Sequence, residues 1–140
     1  MLRRPMGRGR VLAVAGALVV LVGTLLPWYA FQVDGGLPAI DLRAFDGSGM
    51  LAFIAALGIL ALVTLPYAAG DRPISADRGL AYLLLAGIAG LGVAMWPLQV
   101  IDDLSGLLPT RAPGWWMALI GVAVVARAAF EIRREEPARR

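Results

Sequence analysis

The sequence predicts an all-α membrane protein, an antiparallel bundle of four transmembrane helices. Its first outer loop also has a sequence pattern typical of a short β-hairpin. Two properties of the composition indicate this class. Of the 140 residues, 59% are apolar and only 16% are charged, whereas soluble domains carry about 25% charged residues. The apolar residues also form long blocks and do not recur every two or 3.6 positions, as they would around a soluble core.

Four apolar blocks have the length of a membrane-spanning helix. A hydrocarbon core of about 30 Å is crossed by about 20 helical residues, and only a helix satisfies its own backbone hydrogen bonds there. The predicted spans are 11–29, 50–69, 79–101 and 114–132. Helix ends are predicted at Pro27, Pro66 and Pro97, where a missing N–H costs little. The spans form one domain of 1–140, in which 133–140 is a charged cytoplasmic tail.

Arginine is distributed asymmetrically between the two sides of the four spans. Eleven of the thirteen arginines lie before span 1, between spans 2 and 3, or at and beyond the end of span 4. Only Arg43 and Arg111 fall in the other two loops. Because cytoplasmic loops are enriched in basic residues, we expect both termini in the cytoplasm and the spans in a bacterial plasma membrane. The asymmetry also explains the basic pI of about 10.2 without nucleic-acid binding.

Aromatic residues are concentrated near the predicted ends of the spans. Trp and Tyr favour the membrane–water interface, because their side chains combine an apolar ring with a polar group. We therefore predict an outer interfacial belt of Trp28, Tyr29, Trp96, Trp115 and Trp116, and a sparser inner set of Tyr67, Tyr82 and Phe130.

Spans 1 and 4 each admit a second interpretation. The Arg-rich segment before span 1 is also typical of a signal peptide, but the bulky residues 26–29 are unsuited to cleavage and favour an uncleaved anchor. Span 4 contains Arg127 close to its cytoplasmic end. We expect Arg127 to extend to the headgroups and to pair with Glu131 at i+4. The alternative is an intramembrane arginine that binds a substrate.

Small residues indicate how the helices pack. In lipid, helices associate through close backbone approach and dispersion, which Ala and Gly permit. The predicted packing face of span 3 consists of Ala86, Gly90 and Ala94. On this prediction Gly90→Leu loosens the bundle. The alternative is that Ala and Gly are simply common in the proteome.

Two outer loops carry the charged residues that we predict for surface interactions. The candidates are Asp34, Asp41, Arg43, Asp102, Asp103 and Arg111. In the first loop, Asp34-Gly35-Gly36 between two apolar stretches is typical of a β-hairpin turn. Asp102, Asp103 and a first-loop carboxylate would suit calcium, which prefers clustered oxygen ligands. The alternative is a solvated acidic face in which one of these aspartates pairs with Arg111.

Cysteine, histidine and lysine are all missing from the chain. Without them there is no disulfide, thiolate nucleophile or Schiff base, and no imidazole to act as general base or to ligate haem or zinc. The centres of the four spans also contain no ionisable side chain, which a proton-coupled transporter normally requires. We therefore predict no catalytic residue, no cofactor and no metal site.

The order of these features resembles a known group of proteins. Span 1 ends in Leu26-Pro27-Trp28-Tyr29, the first outer loop contains Arg43-Ala44-Phe45-Asp46-Gly47, and span 3 is rich in glycine. Together they resemble small, uncharacterised four-helix membrane proteins of actinobacteria and their relatives. The resemblance implies the architecture and an actinobacterial source, and it implies no site residues.

Three functions are compatible with this sequence. The first is a non-enzymatic accessory or scaffold subunit that binds another membrane protein through small-residue helix faces and the outer loop. The second is a minimal transporter or channel whose pathway forms between copies of the chain. The third, an enzyme that uses outer aspartates on envelope substrates, is the least favoured, because the sequence contains no recognisable catalytic set.

Overall fold

Four long helices and one small sheet make up the described part of the protein. The computed structural model describes residues 7–31, 40–68, 78–100 and 113–135. Its elements in chain order are α1 (Arg8–Leu25), β1 (Pro27–Phe31), β2 (Ile40–Arg43), a 3-10 turn (Ala44–Asp46), α2 (Gly49–Ala68), α3 (Arg78–Val100) and α4 (Pro113–Glu135). All four helices are long and apolar enough to cross a membrane. The predicted four-helix membrane fold is therefore confirmed.

The helices form a ring in which each packs on the next and α4 closes against α1. The interior is filled mainly by small and branched apolar side chains, with alanines from all four helices fully or almost fully buried. Small side chains suit this arrangement because they let neighbouring backbones approach closely. The bundle has two ends: the hairpin end, where the sheet lies, and the terminal end, where α1 begins and α4 ends.

The contact between α1 and α4 is a seam of glycines. On α1, Gly9, Gly16 and Gly23 are spaced by seven residues and all face α4. A Cβ atom added at Gly16 would lie 2.9 Å from the backbone nitrogen of Val125, and one at Gly23 would lie 2.6 Å from that of Ala118. These distances leave no room for a side chain. Glycine is therefore required at these positions of the seam.

The α4 side of the seam has the same construction. A Cβ at Gly121 would lie 2.7 Å from the backbone nitrogen of Val20, and one at Gly114 would lie 2.7 Å from the carbonyl oxygen of Leu26. A seven-residue spacing drifts by only about 20° per repeat around an α-helix. The two α4 glycines therefore stay on the side that faces α1, and at the next step of the row the small residue is Ala128.

The predicted packing face on α3 is only partly right. Ala86 is buried, but Ala94 is exposed, and a Cβ at Gly90 would meet only Val122 at an ordinary 3.7 Å. The close approach of α3 is made by Gly92, whose Cβ would lie 2.9 Å from the backbone nitrogen of Ala52 on α2. The cause is helical geometry, since a spacing of four residues turns by about 40° per step and leaves the interface within two steps.

The first helix ends four residues earlier than predicted, and a strand replaces its last turn. Leu26 is extended, with φ −82° and ψ 157°, because the residue before a proline avoids the helical region. Pro27–Phe31 then forms β1, which pairs antiparallel with β2 through Tyr29 opposite Leu42 and Ala30 opposite Asp41. The predicted hairpin is thus confirmed in its strands, while its turn at 34–36 lies outside the described residues.

The other helix bounds agree with the predicted spans to within one residue, except at the start of α1, which lies three residues before the predicted position 11, and at the end of α4. That helix continues to Glu135, so the first three residues of the predicted tail, 133–135, are helical. Pro66 and Pro97 lie within the last turns of α2 and α3 and do not terminate them. A proline near a helix C-terminus removes one hydrogen bond without ending the helix, provided that the orphaned carbonyl finds another donor.

Candidate functional site

Four aromatic side chains form a buried cluster at the hairpin end of the bundle. Tyr29 stacks on Trp96 with ring centroids 4.8 Å apart, and Trp28 meets Trp96 edge to face at 5.4 Å. Trp28 and Trp96 are 0% and 1% exposed, and Trp115 on α4 is 7% exposed. This aromatic cluster (Trp28, Tyr29, Trp96 and Trp115) joins β1, α3 and α4 at one end of the bundle.

The prediction of an interfacial belt is therefore only partly right. The five aromatic residues do lie at one end of the bundle, but four of them are buried among protein side chains. Trp116 alone of the five keeps an exposed ring, at 42% exposure, and packs edge to face on Trp115. At the terminal end, Tyr67 and Phe130 are exposed while Tyr82 is buried. The difference arises because β1 turns back and carries Trp28 and Tyr29 into the protein.

Two tryptophans of the cluster donate to carbonyls that prolines leave without a donor. The indole N–H of Trp28 donates to the Gly23 carbonyl oxygen at 2.9 Å. In a continuing helix that oxygen would accept from residue 27, which is proline and has no N–H. The indole N–H of Trp115 donates to the Val93 carbonyl oxygen at 3.0 Å, and residue 97, its helical donor, is also proline.

The third indole of the cluster lacks such an acceptor. The Trp96 Nε1 atom is buried and has no hydrogen-bond partner in the described part of the chain. A Cβ added at Gly47 would lie 3.1 Å from Trp96 Nε1 and 2.8 Å from Gln99 Oε1. Gly47 therefore lets the chain pass directly over the Trp96 ring on its way to α2.

Ser48 fixes this crossing segment to α3. Its backbone N–H donates to Gln99 Oε1 at 2.9 Å, and its hydroxyl donates to the Gly92 carbonyl oxygen at 3.0 Å. One turn earlier, the Arg43 backbone N–H donates to Asp46 Oδ2 at 2.6 Å and closes the 3-10 turn. The hairpin end is thus a fixed platform attached to α3 by side-chain hydrogen bonds.

The predicted outer-face residues fall into two groups. Asp41 and Arg43 are exposed on β2, and because they are two residues apart they point to the same face of the strand. The remaining candidates lie outside the described residues: Asp34, Asp102, Asp103 and Arg111. Within the described ranges no three Asp, Glu, His or Cys side chains come together as a metal site. The calcium hypothesis for Asp102 and Asp103 stays a prediction.

The threonine hydroxyls of the described helices form hydrogen bonds within their own helices. Thr24 is the buried polar residue of the described part of the chain, and its hydroxyl donates to the Leu21 carbonyl of its own helix at 2.8 Å. Thr64 donates in the same way to Leu60 and Ala61. The predicted pair on α4 is confirmed, with Arg127 Nε 3.3 Å from Glu131 Oε1 and the arginine side chain 75% exposed.

One face of α3 is exposed and contains small residues. The exposed stripe, at alternating spacings of four and three residues, consists of Leu80, Leu84, Gly87, Leu91, Ala94 and Leu98. A Cβ added at Gly87 would meet nothing within 4 Å. We call this stripe the open α3 face. Ala94, predicted to pack inside the bundle, belongs to it instead.

Neither the indole–carbonyl bonds nor the open α3 face was identified from the sequence. The sequence contains part of the cause of the first, since Pro27 and Pro97 each remove a backbone donor near a helix end. The partner of the Val93 carbonyl, however, comes from Trp115 on another helix, 22 residues away in sequence. No protein family model, curated protein or solved structure matches the chain. The resemblance to actinobacterial four-helix proteins stays a prediction.

Proposed function

We propose that the protein is a non-enzymatic accessory or scaffold subunit that binds another membrane protein through the open α3 face and the hairpin end. The observation that carries the proposal is the position of Gly87 and Ala94. Both are exposed on a helix surface that no other described helix covers, seven residues apart within a row of leucines. Small residues at this spacing let a second helix approach closely in lipid.

The use of glycine elsewhere in the bundle supports this choice of face. Gly9, Gly16 and Gly23 of α1 are covered by α4, and Gly92 of α3 is covered by α2. Gly87, by contrast, is a helix glycine around which an added Cβ meets nothing within 4 Å. A glycine inside a helix is unfavourable by about 0.5–1 kcal/mol relative to alanine. An approaching partner helix supplies a reason for keeping it there.

The hairpin end offers a second, chemically different surface beside the first. Asp41 and Arg43 are exposed on β2, and Phe45 is 43% exposed while its ring packs on Phe53 at 5.1 Å. Protein interfaces commonly combine an apolar or aromatic centre with a polar rim. The fixed hydrogen bonds of Ser48 to α3 hold this surface in place relative to the open α3 face.

The proposed membrane and orientation follow from the charges of the two ends. Arg8, Arg10, Arg133 and Arg134 lie at the terminal end, whereas Arg43 lies at the hairpin end. Basic residues favour the cytoplasmic side. We therefore place the terminal end in the cytoplasm and the hairpin end outside the plasma membrane of a bacterium, in line with the resemblance to actinobacterial proteins.

The second candidate is a transporter or channel formed by several copies of the chain. The interior of a single bundle consists of buried alanine, valine and isoleucine, which leave no polar path among the described residues. A pathway would then have to form between copies. The open α3 face would serve as the contact between copies in that case.

Purification in a mild detergent distinguishes the two candidates. An accessory subunit is recovered with a different membrane protein in a fixed ratio, and Gly87→Leu abolishes this co-purification. Ala61→Leu, an exposed small residue on α2, is the matched control and retains the partner. A pure homo-oligomer that gives solute flux in liposomes would refute the subunit and support the transporter.

A further inference from the structure

The indole of Trp96 lacks an acceptor although a suitable one lies close to it. Trp96 is 1% exposed, and its Nε1 atom has no hydrogen-bond partner in the part of the chain that the structure describes. A buried donor that stays unpaired is destabilising. Gln99 is three residues later on α3, so its side chain is a neighbour of Trp96 on the helix surface. Its amide oxygen is the kind of acceptor that the indole N–H needs.

Gly47 lies between this donor and this acceptor. A Cβ built on Gly47 would be 3.1 Å from Trp96 Nε1 and 2.8 Å from Gln99 Oε1. The two atoms are therefore at most about 6 Å apart, by the sum of these two distances. In glycine a Cα hydrogen points in this direction and separates the donor from the acceptor. An N–H···O hydrogen bond is about 2.9 Å long, so a shift of about 3 Å in Oε1 closes the gap once Gly47 has moved.

Gln99 is bonded instead to the chain segment that crosses above it. Its Oε1 atom accepts from the Ser48 backbone N–H at 2.9 Å, in an exposed position. Water can replace Gln99 as the acceptor for Ser48 there, because hydrogen bonds to solvent are nearly as favourable as those within the protein. An exchange of Ser48 for Trp96 as the donor to Oε1 therefore leaves every one of these groups paired. The arrangement in the structure leaves Trp96 unpaired.

The crossing segment, residues 44–48, has a pivot on α3. The Ser48 hydroxyl donates to the Gly92 carbonyl oxygen at 3.0 Å, and a Cβ at Gly92 would lie 2.8 Å from the Ser48 carbonyl oxygen. Ser48 thus has a second bond to α3 that does not involve Gln99. Within the segment, the Gly47 N–H donates to the Ala44 carbonyl oxygen at 3.4 Å. Gly47 and the 3-10 turn can therefore tilt together about Ser48, with these bonds intact.

We propose that the hairpin end is a two-position latch in which Gln99 Oε1 exchanges one donor for another. In the closed position, which the structure shows, Oε1 accepts from the Ser48 backbone N–H. In the open position Gly47 tilts away, Oε1 accepts from Trp96 Nε1, and water pairs with the Ser48 N–H. The surface formed by β2 and the 3-10 turn then has a different angle to α3. The latch operates in the isolated protein and does not depend on the partner proposed above.

Hydrogen–deuterium exchange of the Ser48 amide in detergent micelles measures how often the latch opens. Benzothienylalanine in place of Trp96 keeps the fused ring and has sulfur instead of the indole N–H, so the open position loses its hydrogen bond. We expect exchange at Ser48 to slow by about tenfold, the order expected for one hydrogen bond. The same replacement of Trp28, whose N–H is bonded to Gly23, is the control and gives no slowing. Equal or faster exchange at Ser48 after the replacement of Trp96 would overturn the proposal.

Gly47→Ala tests the open position itself. The closed position has no room for the added Cβ, whereas the tilt removes its contact with Trp96 and supplies a hydrogen bond. In NMR spectra of isotope-labelled tryptophan, we expect the Trp96 indole proton to shift downfield and to stay protected from exchange with water. Gly87→Ala, at a position where an added Cβ meets nothing within 4 Å, leaves this signal unchanged.

Gln99→Met in the Gly47→Ala background then distinguishes Gln99 from water as the acceptor. Methionine has a similar length but no amide oxygen, so exchange of the Trp96 indole proton should become at least about tenfold faster. Exchange that is equally fast with glutamine and with methionine would show that water meets the donor, and the latch would be refuted. An indole signal that Gly47→Ala does not shift would refute it as well.

Discussion

The indole N–H of Trp115 donates to the Val93 carbonyl oxygen across the interface between α4 and α3, at 3.0 Å. Val93 needs this donor because Pro97, four residues later, has no N–H to complete the helix. Trp28 makes the corresponding bond to Gly23, whose helical donor would be Pro27. Unpaired carbonyls are costly away from water. The two tryptophans therefore allow a proline just after the end of α1 and another in the last turn of α3, while the surrounding cluster stays buried.

Tryptophan-to-phenylalanine substitutions in the aromatic cluster should separate the contribution of the indole hydrogen bond to stability from that of the aromatic ring. Trp28→Phe and Trp115→Phe each leave a buried carbonyl without a donor, which costs about 1–3 kcal/mol. Trp96→Phe removes a similar volume but no hydrogen bond, since Trp96 Nε1 has no partner among the described residues. We expect the first two to lower the free energy of unfolding by about 1–2 kcal/mol more than the third. Unfolding by SDS titration in mixed micelles measures the difference.

A double-mutant cycle checks the role of proline directly. In a Pro97→Ala background, residue 97 has an N–H and bonds Val93 itself, so Trp115→Phe should cost less than it does with Pro97 present. The expected coupling is about 1 kcal/mol. Additive effects of the two substitutions would show that the indole bond does not replace the missing helical donor.

Replacing a glycine of the seam with alanine should lower the stability of the protein, whereas replacing the exposed Gly87 with alanine should raise it. Gly23→Ala forces a Cβ to 2.6 Å from a backbone nitrogen of α4, and such overpacking costs about 1–3 kcal/mol. At Gly87 an added Cβ meets nothing within 4 Å, so the intrinsic helix preference of alanine should stabilise the protein by about 0.5–1 kcal/mol. Thermal unfolding in detergent distinguishes these signs. A midpoint that falls equally for both variants would refute the glycine seam.

Stability should decrease at high pH because of Tyr29. Burial raises the pKa of the Tyr29 phenol above its ordinary value of 10.0. The unfolded chain then loses this proton at a lower pH than the folded chain does, so folding is disfavoured as pH rises above 10.0. Tyr29→Phe should make the free energy of unfolding less dependent on pH in this range, in SDS titrations between about pH 9 and 11. An unchanged pH dependence would exclude Tyr29 as its source.

The sequence predicted the spans well because membrane thickness sets their length. Three helices begin within one residue of the predicted position, and the exception, α1, begins at Arg8, three residues before the predicted start. The error at the end of α1 has a local cause. The apolar run continues through Trp28 and Tyr29. Hydropathy alone does not show that Pro27 removes a backbone donor and holds Leu26 in an extended conformation. The chain leaves the helix at a point where the apolar run does not change.

The contacts between helices were less predictable, because they depend on rotation of each helix about its axis. The row Ala86, Gly90 and Ala94 was chosen by proximity in sequence, and helical drift moves its last member onto the exposed surface. The seven-residue rows of the α1–α4 seam were present in the sequence and would have been the better criterion. The tryptophans are buried where their indoles donate to carbonyls that two separate prolines leave without a backbone donor. No short sequence pattern shows which indole reaches which carbonyl.

Site-specific photo-crosslinking in native membranes tests the proposed binding of a partner to α3 most directly. Each helix carries an exposed alanine: Ala15, Ala61, Ala94 and Ala123. Each is replaced in turn by the photoreactive amino acid p-benzoylphenylalanine. We expect Ala94 to crosslink to one membrane protein of different sequence, while the other three positions crosslink only to lipid. Crosslinking of Ala94 to lipid alone, or to a second copy of the chain, would contradict the proposed subunit.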